Sequence, residues 1–229
     1  MVEPSNAGNR TPASATVTDP APMVPLAVSS VTHSASLRLL AVAAISLGGL
    51  AWDLWSKHQV FAALGCPQVL LPGPGVHPIW KGQVLGVAVQ FQLETAINRG
   101  ALWGMGQGQS WLFATLSFVA VGVIAYFLWN GQVTASRWLT VATGLLLAGT
   151  LGNLFDRLGL HGIRDENGQA VYAVRDFLDW FFGTFHWATF NFADTYLVAG
   201  AIMLVVHSFF VPPQETERRR SENAEVRSR

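Results

Sequence analysis

The sequence predicts an all-α membrane protein with four transmembrane helices and a small extracytoplasmic β-rich element. Of its 229 residues, 51% are hydrophobic and only 12% are charged, whereas soluble domains typically contain about 25% charged residues. Four segments are long and apolar enough to cross a hydrocarbon core of about 30 Å. The chain also contains 9 Trp and 14 Phe, and aromatic rings favour the membrane–water boundary.

Each predicted span has a recognisable boundary. The first begins near Arg38 and ends near Asp53, and the second is uncharged with Trp at both ends, which is typical of an aromatic belt. The third is followed directly by Asp156, and the fourth begins after Asp194 and stops at Pro212. The predicted spans are 37–55, 111–129, 138–155 and 195–211, within one four-span domain, 37–211.

Residues 1–36 and 212–229 are predicted to be tails on the same side of the membrane, because the number of spans is even. Segment 1–36 is rich in Pro, Ala, Ser and Thr, a composition that indicates disorder. It also lacks the apolar run that a cleavable signal peptide would need. Arginines concentrate in 212–229, and the positive-inside rule therefore places both tails in the cytoplasm.

Two long connections lie on the opposite side in this topology. The first, Lys57–Gln109, contains a Pro- and Gly-rich loop at Leu71–His77 and then Val84–Ala96, whose partly alternating, β-branched residues predict a strand or hairpin. The second, 158–193, contains an aromatic run, Phe177–Trp187, that could return to the membrane interface.

Polar residues gather at this outer face. A charge at the bilayer centre costs about 3 kcal/mol on insertion scales, so we expect these residues to share one site. Asp53 and Lys57 are four residues apart and can pair on one helix face. The full set is Asp53, Lys57, Asn98, Asn153, Asp156, Arg157, Asp176, Asn191 and Asp194.

Several of these residues also have a purely structural interpretation. Asp53 and Lys57 would form an ion pair that fixes a helix end, and Asp156 would mark the interfacial stop of the third span. Asn191 or Asp194 would cap the fourth helix.

Other chemistries find little support. Cys66 is the only cysteine, which excludes an intramolecular disulfide, and nothing near it in sequence would activate a thiol. The histidines lack metal-ligand spacing, so no metal is predicted. The net charge of zero gives no support for nucleic-acid binding. Ser56 and Lys57 are adjacent, but neighbours on a helix point about 100° apart, which argues against a serine–lysine protease.

Two further alternatives stay open on the residues alone. One is a small polytopic transporter or proton-relay protein, which would distribute acidic residues through the depth of its spans. The other is a non-enzymatic assembly factor whose polar cluster binds a partner helix.

Five motifs, in order, resemble those of the lipoprotein signal peptidase (signal peptidase II) family. They are Trp52-Asp-Leu-Trp-Ser-Lys57, Asn98-Arg-Gly-Ala101, Gly152-Asn-Leu-Phe-Asp-Arg157, Val174-Arg-Asp-Phe177 and Phe190-Asn-Phe-Ala-Asp194. The third is the most distinctive. The chain departs from the family in its longer first tail, its longer 58–83 loop, and Trp103 where the family often has Phe.

The resemblance implies a membrane-embedded aspartic endopeptidase of the bacterial inner membrane that needs no cofactor. Asp176 and Asp194 would be catalytic. Asn98, Asn153, Arg157 and Asn191 would lie near the substrate, and Asp53, Lys57 and Asp156 would support the architecture. The partners implied are membrane lipids and diacylglyceryl prolipoproteins, cut on the amino side of the lipidated cysteine by a monomeric enzyme.

Two neighbouring carboxyl groups provide a mechanism that fits this activity. They cannot both ionise cheaply, so they share one proton and titrate as a pair. The ionised member can take a proton from an attacking water, and the protonated member can polarise the scissile carbonyl.

Overall fold

The computed structural model describes residues 28–69, 71–100, 108–131 and 136–210, with side chains from residue 36 onward. Four helices are present in these ranges: α1 (Val28–Leu64), α2 (Ser110–Trp129), α3 (Arg137–Arg157) and α4 (Phe192–Phe210). Each contains a segment long and apolar enough to cross a membrane, in agreement with the four predicted spans. Ala101, Trp103 and the predicted tail 212–229 lie outside the described residues.

Helix α1 differs from the predicted first span at both ends. It begins at Val28, inside the predicted tail 1–36, and continues to Leu64, well beyond the predicted end at residue 55. The charges at Asp53 and Lys57 suggested that end, but the two side chains are paired and fully buried, so they do not terminate the helix. Residues 1–27 lie outside the described part of the chain.

Helix α3 is the centre of the bundle and packs against the other three helices. In its apolar segment 56% of the residues are buried inside the protein, against 6–17% in the other helices. Small residues permit the close approach: Gly144 lies against Ile45 of α1, and Gly149 lies against Leu197 of α4. The polar carboxyl end of α3 is therefore enclosed by neighbouring elements.

The described chain also forms a four-stranded antiparallel sheet with strand order β1-β2-β3-β4. The strands are β1 (Val76–Val84), β2 (Val87–Asn98), β3 (Val174–Phe182) and β4 (Phe185–His186). The label all-α therefore understates the strand content. Val76 and His77, predicted as loop, begin β1, and the aromatic run Phe177–Trp187 supplies most of β3 and all of β4.

The sheet joins sequence segments that no local pattern links. Its central pair, β2 with β3, brings together the two long connections between spans, with Asn98 opposite Val174 and Ala96 opposite Asp176. The sheet packs on the end of α1 through a buried apolar cluster that includes Phe61, Cys66 and Phe177. This packing places the start of β3 beside the ends of the helices.

Candidate active site

Asp176 is buried at the start of β3, where the sheet meets the helices. Its Oδ2 accepts a hydrogen bond from Asn98 Nδ2 at 2.9 Å, and its Oδ1 accepts one from Asn191 Nδ2 at 2.6 Å. Asn98 reaches it because β2 ends alongside β3. Both carboxyl oxygens of Asp176 are thus oriented by side-chain amides.

Asp194 lies in the first turn of α4 and forms a reciprocal cap with Asn191. The Asp194 N–H donates to Asn191 Oδ1 at 3.0 Å, and the Asn191 N–H donates to Asp194 Oδ2 at 3.1 Å. Asp194 Oδ1 also accepts from Asn153 Nδ2 of α3 at 2.7 Å. A helix N-terminus favours a negative charge, so the position suits a carboxylate.

Asn191 connects the two aspartates. Besides capping α4, its Nδ2 donates to Asp176 Oδ1 and, at 3.2 Å, to Asn153 Oδ1. The capping interpretation is therefore correct, but the same side chain also serves the polar site. Asp176, Asp194, Asn153 and Asn191 form one continuous network.

The surroundings of Asp176 favour its protonated form. Burial, and then the charge of Asp194, raise the pKa of Asp176 to about 7, against the lowering effects of Asn98, Lys57 and Asn191. Near neutral pH, the site can therefore hold one proton on Asp176.

Arg157, at the end of α3, adds a positive charge beside the two carboxyl groups. Its charge interacts with Asp194 and Asp176. Its guanidinium lies 5.4 Å from the ring centre of Phe113, and Nη2 donates to the Gly100 carbonyl oxygen at 3.4 Å. Helix α2 and the segment that follows β2 thus hold this cation at the edge of the site.

Asp53, Lys57 and Asp156 lie directly behind Asn153 and are fully buried. Lys57 Nζ is 2.8 Å from Asp53 Oδ2, 3.2 Å from Asp156 Oδ2, and donates to Asn153 Oδ1 at 3.2 Å. The structure therefore brings all nine residues singled out in the sequence into one connected region.

This region coincides with the part of the chain that is shared with known proteins. Residues 42–210 match the model of the family described as signal peptidase (SPase) II. The chain belongs to the signal peptidase II family. The resemblance inferred from the five motifs is confirmed.

Curated members of the signal peptidase II family match most of this chain. The lipoprotein signal peptidase of Rhodopirellula baltica is 40% identical over 167 residues, covering 72% of this chain and 70% of that protein. The lipoprotein signal peptidase of Vibrio vulnificus is 32% identical over 167 residues, covering 70% and 89%.

Two solved structures of a bacterial membrane enzyme, at 2.3 and 1.9 Å resolution, share the fold. Each is 22% identical to this chain and covers 72% of it, with TM-scores of 0.52 and 0.53. This similarity supports a multi-pass membrane fold for this signal peptidase II chain.

The alternative nucleophiles of this signal peptidase II chain are held in structural contacts. Ser56 Oγ donates to the Asp53 carbonyl oxygen at 3.0 Å, while the neighbouring Lys57 ammonium is engaged by Asp53, Asp156 and Asn153. Cys66 is buried, and burial raises the pKa of its thiol. In the described ranges no three His, Cys, Asp or Glu residues are arranged to hold a metal.

Sequence reasoning assigned no role to one buried residue of the candidate site, Arg175. Its guanidinium donates to Asp156 Oδ1 from Nε at 3.1 Å and from Nη2 at 2.8 Å. One feature of the sequence could have identified Arg175, namely that it is an arginine beside Asp176 in a segment that is otherwise largely apolar. Its partner lies on another element, so spacing along the chain could not identify the pair.

Proposed function

We propose that this chain is an aspartic endopeptidase that removes the signal peptide from diacylglyceryl-modified prolipoproteins. It cuts on the amino side of the lipidated cysteine. Membership of the signal peptidase II family and relatives named lipoprotein signal peptidase support this function. The observation that carries the chemistry is the pair Asp176 and Asp194, joined through Asn191.

In the proposed reaction the two aspartates have different roles. Asp194 sits at the amino end of α4, where a negative charge is favoured, and acts as the base that takes a proton from the attacking water. Asp176 holds the proton near neutral pH. It polarises the scissile carbonyl and then protonates the leaving amine, so the reaction needs neither a cofactor nor a covalent intermediate.

The neighbouring polar residues fix these roles. Asn98 and Asn191 orient the carboxyl group of Asp176, and Asn153 orients that of Asp194. Arg157 offers a positive charge beside the developing oxyanion. We assign Asn98, Asn153, Arg157 and Asn191 to positioning the substrate and the aspartates.

We place the enzyme in the bacterial cytoplasmic membrane as a monomer in contact with membrane lipids. The segment before α1 and the predicted tail 212–229 then face the cytoplasm, as the arginine distribution favours. The aspartates and the sheet then lie at the outer face. A prolipoprotein presents its lipidated cysteine at this depth, because its acyl chains remain among the lipids while its signal peptide spans the membrane.

The test is a cleavage assay with the purified, reconstituted protein. A diacylglyceryl prolipoprotein and the same precursor with its lipobox cysteine changed to serine are compared by mass spectrometry. We expect cleavage of the lipidated precursor only, with the lipidated cysteine as the new amino terminus. A transporter or an assembly factor would leave both precursors intact, and that result would exclude the proposal.

A further inference from the structure

Behind the two aspartates lies a quartet of buried charged residues, Asp53, Lys57, Asp156 and Arg175. The first three are 0% exposed and Arg175 is 4% exposed. Two carboxylates and two cations give the quartet a net charge of zero. Burying an unbalanced charge is costly, so a change in the net charge of the quartet would disturb the residues packed around it.

Each carboxylate of the quartet holds the backbone immediately before one proposed catalytic residue. Asp156 Oδ2 accepts the N–H of Arg175 at 3.0 Å, one residue before Asp176. Asp53 Oδ1 accepts the N–H of Ala193 at 2.8 Å, one residue before Asp194. The positions of the two aspartates are thus coupled to the two buried carboxylates.

Lys57 links the two halves of the quartet. Its ammonium lies between Asp53 and Asp156, closer to Asp53, and also donates to Asn153 Oδ1. Asn153 in turn holds Asp194. A shift of Lys57 toward Asp156 would weaken its hold on Asp53 and Asn153.

We propose that Arg175 is a positioning residue that neutralises Asp156 and thereby keeps Lys57 on Asp53 and Asn153. Two hydrogen bonds from one guanidinium to Asp156 Oδ1 satisfy that carboxylate. Arg175 thus maintains the relative placement of Asp176 and Asp194. This inference rests on the proposed function, since its first readout is cleavage of a prolipoprotein.

The quartet also sets the electrostatic potential at Asp176. The charged groups packed around Asp176 come from α1 (Lys57), α3 (Asp156, Arg157), α4 (Asp194) and its own strand (Arg175), and β2 contributes the neutral Asn98. Loss of one cation leaves the quartet with a charge of −1 and raises the pKa of Asp176. Loss of one carboxylate charge leaves +1 and lowers it.

Three variants test the charge balance: Arg175→Met, Asp156→Asn and the double variant, in which the net charge returns to zero. We expect Arg175→Met to lower kcat by roughly 10-fold or more with KM little changed, because small misplacements are costly in catalysis. In the pH profile of kcat, the alkaline limb of Arg175→Met moves to higher pH and that of Asp156→Asn moves to lower pH. In the double variant the alkaline limb returns toward its wild-type position. Arg175→Lys, which keeps the charge, is expected to retain more activity than Arg175→Met.

Arg164→Met is the matched control, since Arg164 is an exposed arginine that contacts the Gly168 carbonyl oxygen. It should behave as wild type. Wild-type kcat and pH profile in Arg175→Met would overturn the inference. A double variant whose alkaline limb stays displaced from the wild-type pH would also overturn the inference. Such a result is expected if Arg175 has a purely steric role, because neutralising Asp156 would then not restore the wild-type profile.

A second readout separates this inference from the proposed function. The carboxyl stretch of Asp176, identified in infrared spectra by its loss in Asp176→Asn, reports the protonation of Asp176 without any substrate. If wild type cleaves no prolipoprotein, the proposed function fails, yet the opposite spectral shifts of the two single variants still test the charge balance. Identical titrations in all variants would contradict it.

Discussion

Asn191 serves two elements with one side chain. Its Oδ1 accepts from the Asp194 N–H and caps α4, while its Nδ2 donates to the Asp176 carboxyl group. The two functions have different chemical needs. An N-cap needs an oxygen acceptor, which Asp supplies as well as Asn, but the contact with Asp176 needs an amide donor.

We therefore expect Asn191→Asp to keep the α4 cap but to abolish most prolipoprotein cleavage. The substitution would add a third carboxyl group to the site and replace the amide that donates to Asp176. Asn191→Ala should lose both functions and also cost about 1 kcal/mol of stability, typical of a lost cap. Cleavage rate and thermal unfolding in detergent measure the two effects. Equal loss of stability in both variants would show that the cap and the site cannot be separated.

The raised pKa of Asp176 predicts the pH dependence of activity. The proposed reaction needs a proton on Asp176, so cleavage should decline as pH rises through about 7. The apparent value belongs to the coupled pair. A cleavage rate that stays constant through about pH 9 would contradict this protonation scheme.

The same shift also affects stability. Unfolding returns the pKa of Asp176 from about 7 to 3.8, so between these values the folded protein binds a proton that the unfolded chain lacks. Stability therefore falls as pH rises through this window. Thermal unfolding should show Asp176→Asn to be more stable than wild type at about pH 8, with a smaller difference at about pH 5.

At the scale of elements, the helices were predictable and the sheet was only partly so. Hydropathy locates a span because α2, for example, is uncharged and apolar, and only 6% of its apolar segment is buried inside the protein. The end of α1 was missed because the charges at Asp53 and Lys57 neutralise each other in the interior. Strand β3 was missed because its partner β2 lies in the other connection, far away in sequence.

Gly152 shows how close packing of elements shapes the site. A Cβ at this position of α3 would lie 2.5 Å from Asp53 Oδ2 and 3.2 Å from the Ala193 Cβ. Gly152→Ala should therefore displace Asp53 from Lys57 and from the Ala193 N–H, and reduce both stability and cleavage. Overpacking typically costs about 1–3 kcal/mol.

Gly122→Ala is a suitable control for this measurement, since a Cβ built there meets no atom within 4 Å other than its chain neighbours and the local backbone of its own helix. It should leave cleavage unchanged and should not lower thermal stability, because Ala has a higher helix propensity than Gly. Wild-type cleavage by Gly152→Ala would show that the contact between α1 and α3 tolerates an added methyl group.

At the scale of the whole molecule, the motif residues converge from three helices, α1, α3 and α4, and from the sheet. The sequence indicated convergence through the shared membrane face, and the motif order indicated the family. It could not indicate which amide contacts which carboxyl group, because Asn98, Asn153 and Asn191 come from β2, α3 and the start of α4. Arg175 was missed for the same reason.

In the proposed mechanism, Asp176 and Asp194 together perform the cleavage. The most direct measurement is the rate at which Asp176→Asn and Asp194→Asn cleave a diacylglyceryl prolipoprotein after reconstitution, with folding checked by thermal unfolding. We expect both variants to be folded and each to lose at least about 10³-fold in kcat, as is typical when a residue of a catalytic unit is removed. Near-normal cleavage by either variant would contradict the catalytic role of the two aspartates.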